Sequence, residues 1–296
     1  MNLCYFKGDI PNFGDDLNPY IIYELIPHAK SIQLDTDLLV IGTILSDDFF
    51  NSKGLNTNQE DKIVFGSGIR FMDKVPKFDD NWKFRFVRGP FSAVCIKNQI
   101  NQDIKYITDP AYLIRETSYF KNKKPIKKHK ISVMPHFRSL NRVDWKHVCD
   151  TLGYHFIDPS YDDVEVIMDQ ILESEFLLTE AMHGAILADA FQVPWLRFKY
   201  FSHFHEQNYV SEFKWSDWLF SMGLKHNHIK LDYNRYIRVV ENNLKRLNFK
   251  KVKENQLIKQ LKSSDLGSIN FQLSDSNLVQ KKTDEMMVEI ERLKEN

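Results

Sequence analysis

The stretch Phe176-Leu177-Leu178-Thr179-Glu180-Ala181-Met182-His183-Gly184-Ala185-Ile186-Leu187-Ala188-Asp189-Ala190 decides the reading of this chain. A short apolar run reaches Thr179, and a helix-compatible pattern follows at once. Glu180 and His183 are the only ionisable side chains in the opening turn of that helix. In an open α/β sheet, the carboxyl end of a strand and the amino end of the next helix form the usual ligand crevice. Free backbone N–H groups at a helix start favour anions. An imidazole there can give a proton to a bound anion, or bind it when charged. The plainer reading is a helix-start histidine that bonds a neighbouring carbonyl, and position alone does not separate the two.

Outward from this stretch the same alternation recurs on both sides. Towards the amino terminus, Leu3-Cys4-Tyr5-Phe6 reads as a strand, followed by a loop and a helix beginning near Asp16, with Pro19 in its first turn. Leu38 to Gly42 and Ile63 to Gly66 are continuous apolar runs ending in glycine, the pattern of strands buried on both faces of a parallel sheet. Phe84 to Arg88 alternates, Gly89-Pro90 opens a helix, and Tyr106 to Pro110 reads as a strand stopped by proline. A lysine-rich stretch, Lys121 to Lys130, reads as an interdomain linker, with a solvated basic loop as the alternative.

Beyond it the rhythm restarts. Strands are predicted at Ile131–Met134, Tyr154–Ile157 and Trp195–Phe198, and helices at Asp144–Leu152 and Val164–Glu173. The expectation is an α/β chain of two Rossmann-like, doubly wound domains facing each other across a cleft, at 1–125 and 126–231, with a helical tail over 232–296. In the tail, Tyr236 to Leu247 reads as helical. A final helix from Asn277 to Glu295 gathers Val279, Met286, Ile290 and Leu293 near one face. That face suits packing on the body, the preferred reading, or on a second copy in a homo-oligomer.

Composition excludes several classes. With 296 residues and 43% hydrophobic content, the chain can bury a sizeable core. Lys plus Arg equals Asp plus Glu at 40 each, so no global field marks a nucleic-acid binder, and any anion must meet a local cluster. Cys4, Cys95 and Cys149 lack metal-site spacing and read as reduced thiols of a cytoplasmic protein. Neither a signal peptide nor an apolar run near the roughly 20 residues of a membrane span is visible. Peripheral contact with a membrane remains compatible with the sequence.

Several loops carry candidate chemistry. Asn12-Phe13-Gly14-Asp15-Asp16-Leu17-Asn18-Pro19 offers a tight turn and two carboxylates, one to cap a helix and one to orient or deprotonate a sugar hydroxyl. Gly66-Ser67-Gly68-Ile69-Arg70 permits close backbone approach by a ligand. Arg88 precedes a helix start and can grip phosphate or carboxylate, or simply form an ion pair. Met134-Pro135-His136-Phe137-Arg138 leaves a strand end with a histidine and an arginine two apart, and Arg197 and Lys199 leave another. His203 and His205 show no third ligand, so no metal site is assigned. Trp195, Tyr200, Phe201, Trp215 and Trp218 read mostly as core, with sugar stacking as the alternative.

Taken in order, these motifs together with Val87-Arg88-Gly89-Pro90, Thr108-Asp109-Pro110-Ala111 and Glu180-Ala181-Met182-His183-Gly184-Ala185 resemble the polysaccharide pyruvyl transferase family, in its exopolysaccharide branch, over roughly Leu3 to Leu219. The resemblance implies a fold like that of GT-B glycosyltransferases and transfer of pyruvate from phosphoenolpyruvate onto two hydroxyls of a sugar, giving a cyclic ketal. No cofactor is implied; phosphoenolpyruvate is a co-substrate. The acceptor would be a sugar, or a lipid-linked oligosaccharide at the inner face of the membrane. His183 is expected as the general acid or as the proton donor to the phosphate, Glu180 as the residue setting its tautomer, and Asp15 or Asp16 as the group that orients the acceptor. Arg88, His136, Arg138, Gly184, Arg197 and Lys199 are expected on the donor, and Asn12, Gly14, Asn18, Ser67, Gly68 and Arg70 on the acceptor.

One departure stands out. Where many relatives have an arginine and a leucine before the histidine, this chain has Ala181 and Met182, so the charge must come from Arg138, Arg70, Arg197 or Lys199. Two rivals remain at this stage: a nucleotide-sugar glycosyltransferase on the same architecture, and a non-catalytic glycan-binding relative.

Overall fold

Apolar runs buried on both faces build two separate parallel sheets, one from each part of the chain. The structure is a computed structural model and describes residues 1–8, 10–30, 36–58, 60–202, 207–231, 250–264 and 270–295. The helix expected over Tyr236 to Leu247, and the pair His203 and His205, lie outside the described residues.

The first sheet orders β1 (Asn2–Cys4), β2 (Thr36–Leu39), β3 (Asp61–Phe65) and β4 (Trp82–Phe86) side by side in chain order, all parallel. The strand expected at Tyr106 reduces to one bridge between Val87 and Tyr106, because Pro110 turns the chain into a 3₁₀ segment, Pro110–Glu116. Helices α1 (Phe13–Leu25) and α2 (Asp47–Lys53) connect β1 to β2 and β2 to β3, α3 (Pro90–Ile100) follows β4, and α4 (Ser118–Asn122) leads to the second sheet.

That sheet is made of β5 (His129–Met134), β6 (His155–Phe156), β7 (Ser174–Thr179), β8 (Trp195–Lys199) and β9 (His228–Lys230). Its order is β6-β5-β7-β8-β9, all parallel. Its helices are α5 (Trp145–Leu152), α6 (Val164–Leu172), α7 (Met182–Ala190) and α8 (Asn208–Ser221). Asp144 and Asp163 cap α5 and α6 by accepting from first-turn N–H groups. The chain leaves β5 for β6 on one side and returns to β7 on the other, so strand order reverses between β5 and β7. The first sheet has no such reversal. The basic stretch before β5 is tied down rather than free, since Lys127 Nζ donates to the carbonyls of Leu172 and Ser174.

One apolar core runs across both sheets. It joins Phe13, Leu17 and Ile21 of α1 to Ile167 and Ile171 of α6 and to Ala185 and Ile186 of α7. Trp195, Trp215 and Trp218 belong to the same core, while Tyr200 and Phe201 pack in a second cluster. All five aromatics are buried. The tail returns to the body through α9 (Lys250–Ser263) and α10 (Ser276–Lys294). Val279, Met286, Ile290 and Leu293 of α10 are fully buried in the main core, so the apolar stripe that could have met a second copy is covered within the chain.

Helix α1 begins earlier than the sequence suggested, and this puts Pro19 in its interior. A proline there removes the N–H that would bond the carbonyl four residues back, that of Asp15. The side chain of Asn18 replaces it: Nδ2 donates to the Asp15 carbonyl at 3.0 Å and to the Ile41 carbonyl at 3.1 Å, while Oδ1 accepts from Ile41 N at 2.8 Å. Asn18 thus pins α1 to the end of β2 and leaves no group for an acceptor sugar, which corrects its expected role. Asn18→Ala would strand these buried backbone groups and should lower stability by about 2–4 kcal/mol in urea unfolding. A loss below about 0.5 kcal/mol would remove Asn18 as the brace.

Candidate active site

Reversal of strand order opens a crevice at the carboxyl ends of the two strands that part there. Here those ends are Met134-Pro135-His136 after β5 and Thr179-Glu180-Ala181 after β7, paired through Met134 and Thr179. A cleft of about 340 Å³ sits at this place and is closed on its other side by the α1 entry, Asn12 to Asp15, and by Gly42 and Thr43 after β2. That volume falls within the ~300–1,000 Å³ range of small-molecule sites. Two of the helices that line the cleft, α1 and α7, start without a side-chain cap, at Asn12 and Ala181. Their amino ends therefore offer partial positive charge to whatever binds.

His183 lies in the first turn of α7 with only 17% of its side chain exposed. Its ring rests directly on α1. A Cβ added to Gly14 would fall 1.9 Å from His183 Nδ1, so only glycine lets the helix and the imidazole approach this closely. Burial, followed by the nearby charges of Lys214, Arg88 and His136, pushes the imidazole pKa down to about 3. At neutral pH the ring is therefore uncharged.

Behind the cleft wall stands a buried charge cluster. Arg88 is fully buried, with Nε 3.3 Å from Asp217 Oδ2 and one terminal nitrogen donating to Thr43 Oγ1 at 2.8 Å. Its other terminal nitrogen packs over Gly68, where an added Cβ would come within 2.4 Å. Asp217 also accepts from Ser92 N and Ser92 Oγ, at 2.9 and 2.6 Å. This pair bridges the first half of the chain to α8 of the second. Arg88 therefore reaches the cleft only through Thr43, and the expectation that it directly grips a donor is corrected.

Several other expectations also change. Glu180 does not touch His183: Oε2 accepts from His136 N and Ser139 Oγ, and Oε1 from the N–H groups of Tyr200, Phe201 and Ser202. It ties the loops after β5 and β8 together, and both of its oxygens are committed to that. The acidic group beside the ring is Asp109, whose Oδ2 is 4.0 Å from His183 Nε2. Gly184 packs α7 onto β5 and β7, where a Cβ would meet Met134 Sδ and Thr179 Oγ1 at 2.6 Å each. Ser67 is fully buried and donates to the Val40 carbonyl, and Gly68 serves Arg88 as described. Arg197 and Lys199 both pair with Glu212, at 2.9 and 2.8 Å, and Arg197 lies over the Trp215 ring. Neither lines the cleft.

Asn12, Gly14, Asp15, Arg70, His136 and Arg138 do line it. The two adjacent carboxylates separate clearly. Asp15 faces the cleft, accepts from Asn12 Nδ2 at 2.6 Å, and is raised by burial to a pKa of about 7. Asp16 lies outside the lining, with Lys7 and Asp162 among its charged neighbours. Lys214 on α8 also lines the cleft, and its charge acts on both His183 and Asp15. Sequence reasoning missed Lys214 and Asp217 because polar and apolar residues are mixed around α8 and mark out no amphipathic face. Asp109 belonged to a recognised motif, but nothing in the sequence showed that it would face His183. Among the described residues, no three His, Cys, Asp or Glu side chains are grouped to hold a metal ion.

The model of the polysaccharide pyruvyl transferase family matches residues 4–203. The succinoglycan biosynthesis protein ExoV of Rhizobium meliloti is 33% identical over 226 residues, covering 76% of this chain and 66% of the relative. The match therefore spans slightly less than two thirds of that relative's length. An uncharacterized protein of Acanthamoeba polyphaga mimivirus is 23% identical, covering 81% of this chain and 79% of the other. The crystal structure of an uncharacterized Klebsiella pneumoniae protein aligns with a TM-score of 0.43 and 15% identity, over 72% of this chain and 88% of that one.

The depressed pKa of His183 has a consequence for stability. The unfolded chain takes up a proton near pH 6.5, whereas the native ring refuses it until about pH 3, so this residue subtracts stability as pH falls through that window. Wild type should lose up to about 1.4 kcal/mol per pH unit relative to His183→Gln below pH ~6. Parallel stability curves for the two proteins would show that the ring titrates normally. Gly68→Ala should destabilise by about 1–3 kcal/mol or more, because Arg88 is held on both sides and cannot yield. Wild-type stability in that variant would mean the guanidinium is free to move.

Proposed function

The chain belongs to the polysaccharide pyruvyl transferase family, and we propose that it transfers pyruvate from phosphoenolpyruvate onto two hydroxyls of a sugar, forming a cyclic ketal. The acceptor is a bacterial polysaccharide or its lipid-linked precursor, and the two sheets act as the facing halves of a GT-B-like arrangement. One observation carries this reading: a neutral histidine and three cationic side chains line one small cleft at the strand-order reversal. No helix among the described residues is long and apolar enough to cross a membrane.

Phosphoenolpyruvate brings a carboxylate and a phosphate, so its site needs cations and helix amino ends. Arg70, Arg138 and Lys214 supply the charge, together with the uncapped starts of α1 and α7. These groups take the place of the arginine replaced by Ala181. Burial holds the His183 pKa down first and the neighbouring cations add to it; a bound anion favours the charged ring against both, and the ring can then carry a proton. Transfer of that proton to the methylene carbon of the donor leaves its neighbour electrophilic, and the first sugar hydroxyl adds there. Asp15, with a pKa of about 7, takes the proton of that hydroxyl. Phosphate departs, and the second hydroxyl closes the ring. The two hydroxyl protons end on the new methyl group and on phosphate, so the reaction consumes no net proton.

His183→Gln should lower turnover by about 10²–10⁴-fold with the fold intact. The assay is phosphate release coupled to appearance of the ketal methyl signal, with a nucleotide sugar as the competing donor. Sugar transfer from the nucleotide without ketal formation would overturn the reading. Activity should also rise as pH passes through about 7, where Asp15 ionises, and Asp15→Asn should flatten that limb while lowering the rate. An unchanged limb in the variant would take Asp15 out of the chemistry.

A further inference from the structure

Three polar atoms in one place are buried and lack a hydrogen-bond partner: Asp109 Oδ2, His183 Nε2 and the Arg88 nitrogen above Gly68. Isolated buried groups of this kind are costly, and here they lie near one another. Asp109 is fully buried at the head of the 3₁₀ segment, and its Oδ1 accepts from Ala111 N at 3.0 Å. That bond fixes the carboxylate, so Oδ2 is the oxygen left for the imidazole 4.0 Å away. At this separation the pair is longer than a direct hydrogen bond, and the carboxylate acts on the ring through its charge. The other ring nitrogen, Nδ1, stands against Gly14 on the cleft wall.

The geometry points to Asp109 as a positioning residue that keeps the His183 proton on Nε2 and leaves the Nδ1 lone pair for the cleft. With the proton on Nδ1 instead, the Nε2 lone pair would oppose a carboxylate oxygen, two acceptors face to face. Burial raises the Asp109 pKa and Arg88 pulls it back, leaving it at about 6, so the group is mostly ionised at pH 7.5. Arg88 thereby acquires a second task besides its bridge to Asp217: it keeps Asp109 charged. The inference rests on the reading that His183 works in the cleft, and it extends that reading to a residue never in contact with the donor.

Nitrogen NMR of histidine-labelled protein at pH 7.5 tests this directly, with the His183 signals assigned by their loss in His183→Gln. The wild-type ring should carry its proton on Nε2, whereas a proton on Nδ1 overturns the proposal without recourse to any Asp109 variant. In Asp109→Asn, the side-chain oxygen keeps the bond from Ala111 N and the new amide donor faces Nε2. The proton should then move to Nδ1, with turnover falling by about 10²–10⁴-fold, as when a carboxylate partner of a catalytic histidine becomes an amide. An unchanged tautomer in the folded Asn variant also overturns it. Should wild type form no ketal, the proposed function fails while the tautomer still decides the role of Asp109.

Discussion

The backbone of α1 at Gly14 lies against the imidazole of His183, and the rest of the site is arranged around that contact. It brings the first turn of a helix from one half of the chain onto the first turn of a helix from the other. Two uncapped helix starts then face the same 340 Å³ of space. Any side chain at position 14 would force ring and helix apart. Asn18 supports the contact from behind, since it replaces the hydrogen bond that Pro19 removes and fixes α1 to the end of β2.

A second layer makes the contact rigid. The Arg88–Asp217 pair is buried at both ends and connects the turn after β4 to α8, which also carries Lys214. A buried ion pair is weak evidence for added stability, because desolvation offsets most of the attraction. Its value here is positional. It ties Thr43 on the cleft wall to α8 and its Lys214, while Arg88 adds to the burial that keeps the His183 ring neutral. Glu180 plays the matching part on the other wall, where five donors from the loops after β5 and β8 converge on one carboxylate.

The sequence exposed the strands well where both faces are apolar, as in Leu38 to Ile41 and Ile63 to Phe65, because parallel sheets leave no polar face to confuse the pattern. Motif order also located the cleft: Gly14, Asp15, His136 and His183 do meet there. What it could not show was which polar residues face inward and which face the solvent side of a loop. Arg197 and Lys199 leave a strand end like true ligands, yet Glu212, thirteen or more residues further on, holds both. Asp15 and Asp16 are adjacent in sequence, and helix geometry alone sends one into the cleft and the other away from it. Lys214 was invisible because α8 mixes polar and apolar residues around its circumference, so no face of it was marked as the one turned to the cleft.

The central claim is that an anionic donor restores the proton affinity of an imidazole that burial and nearby cations keep neutral. Calorimetric titration of phosphoenolpyruvate at pH 7, repeated in buffers of different ionisation enthalpy, tests it most directly. The account predicts binding accompanied by proton uptake, reduced in His183→Gln. Binding heats independent of buffer, or no binding of phosphoenolpyruvate at all, would contradict it.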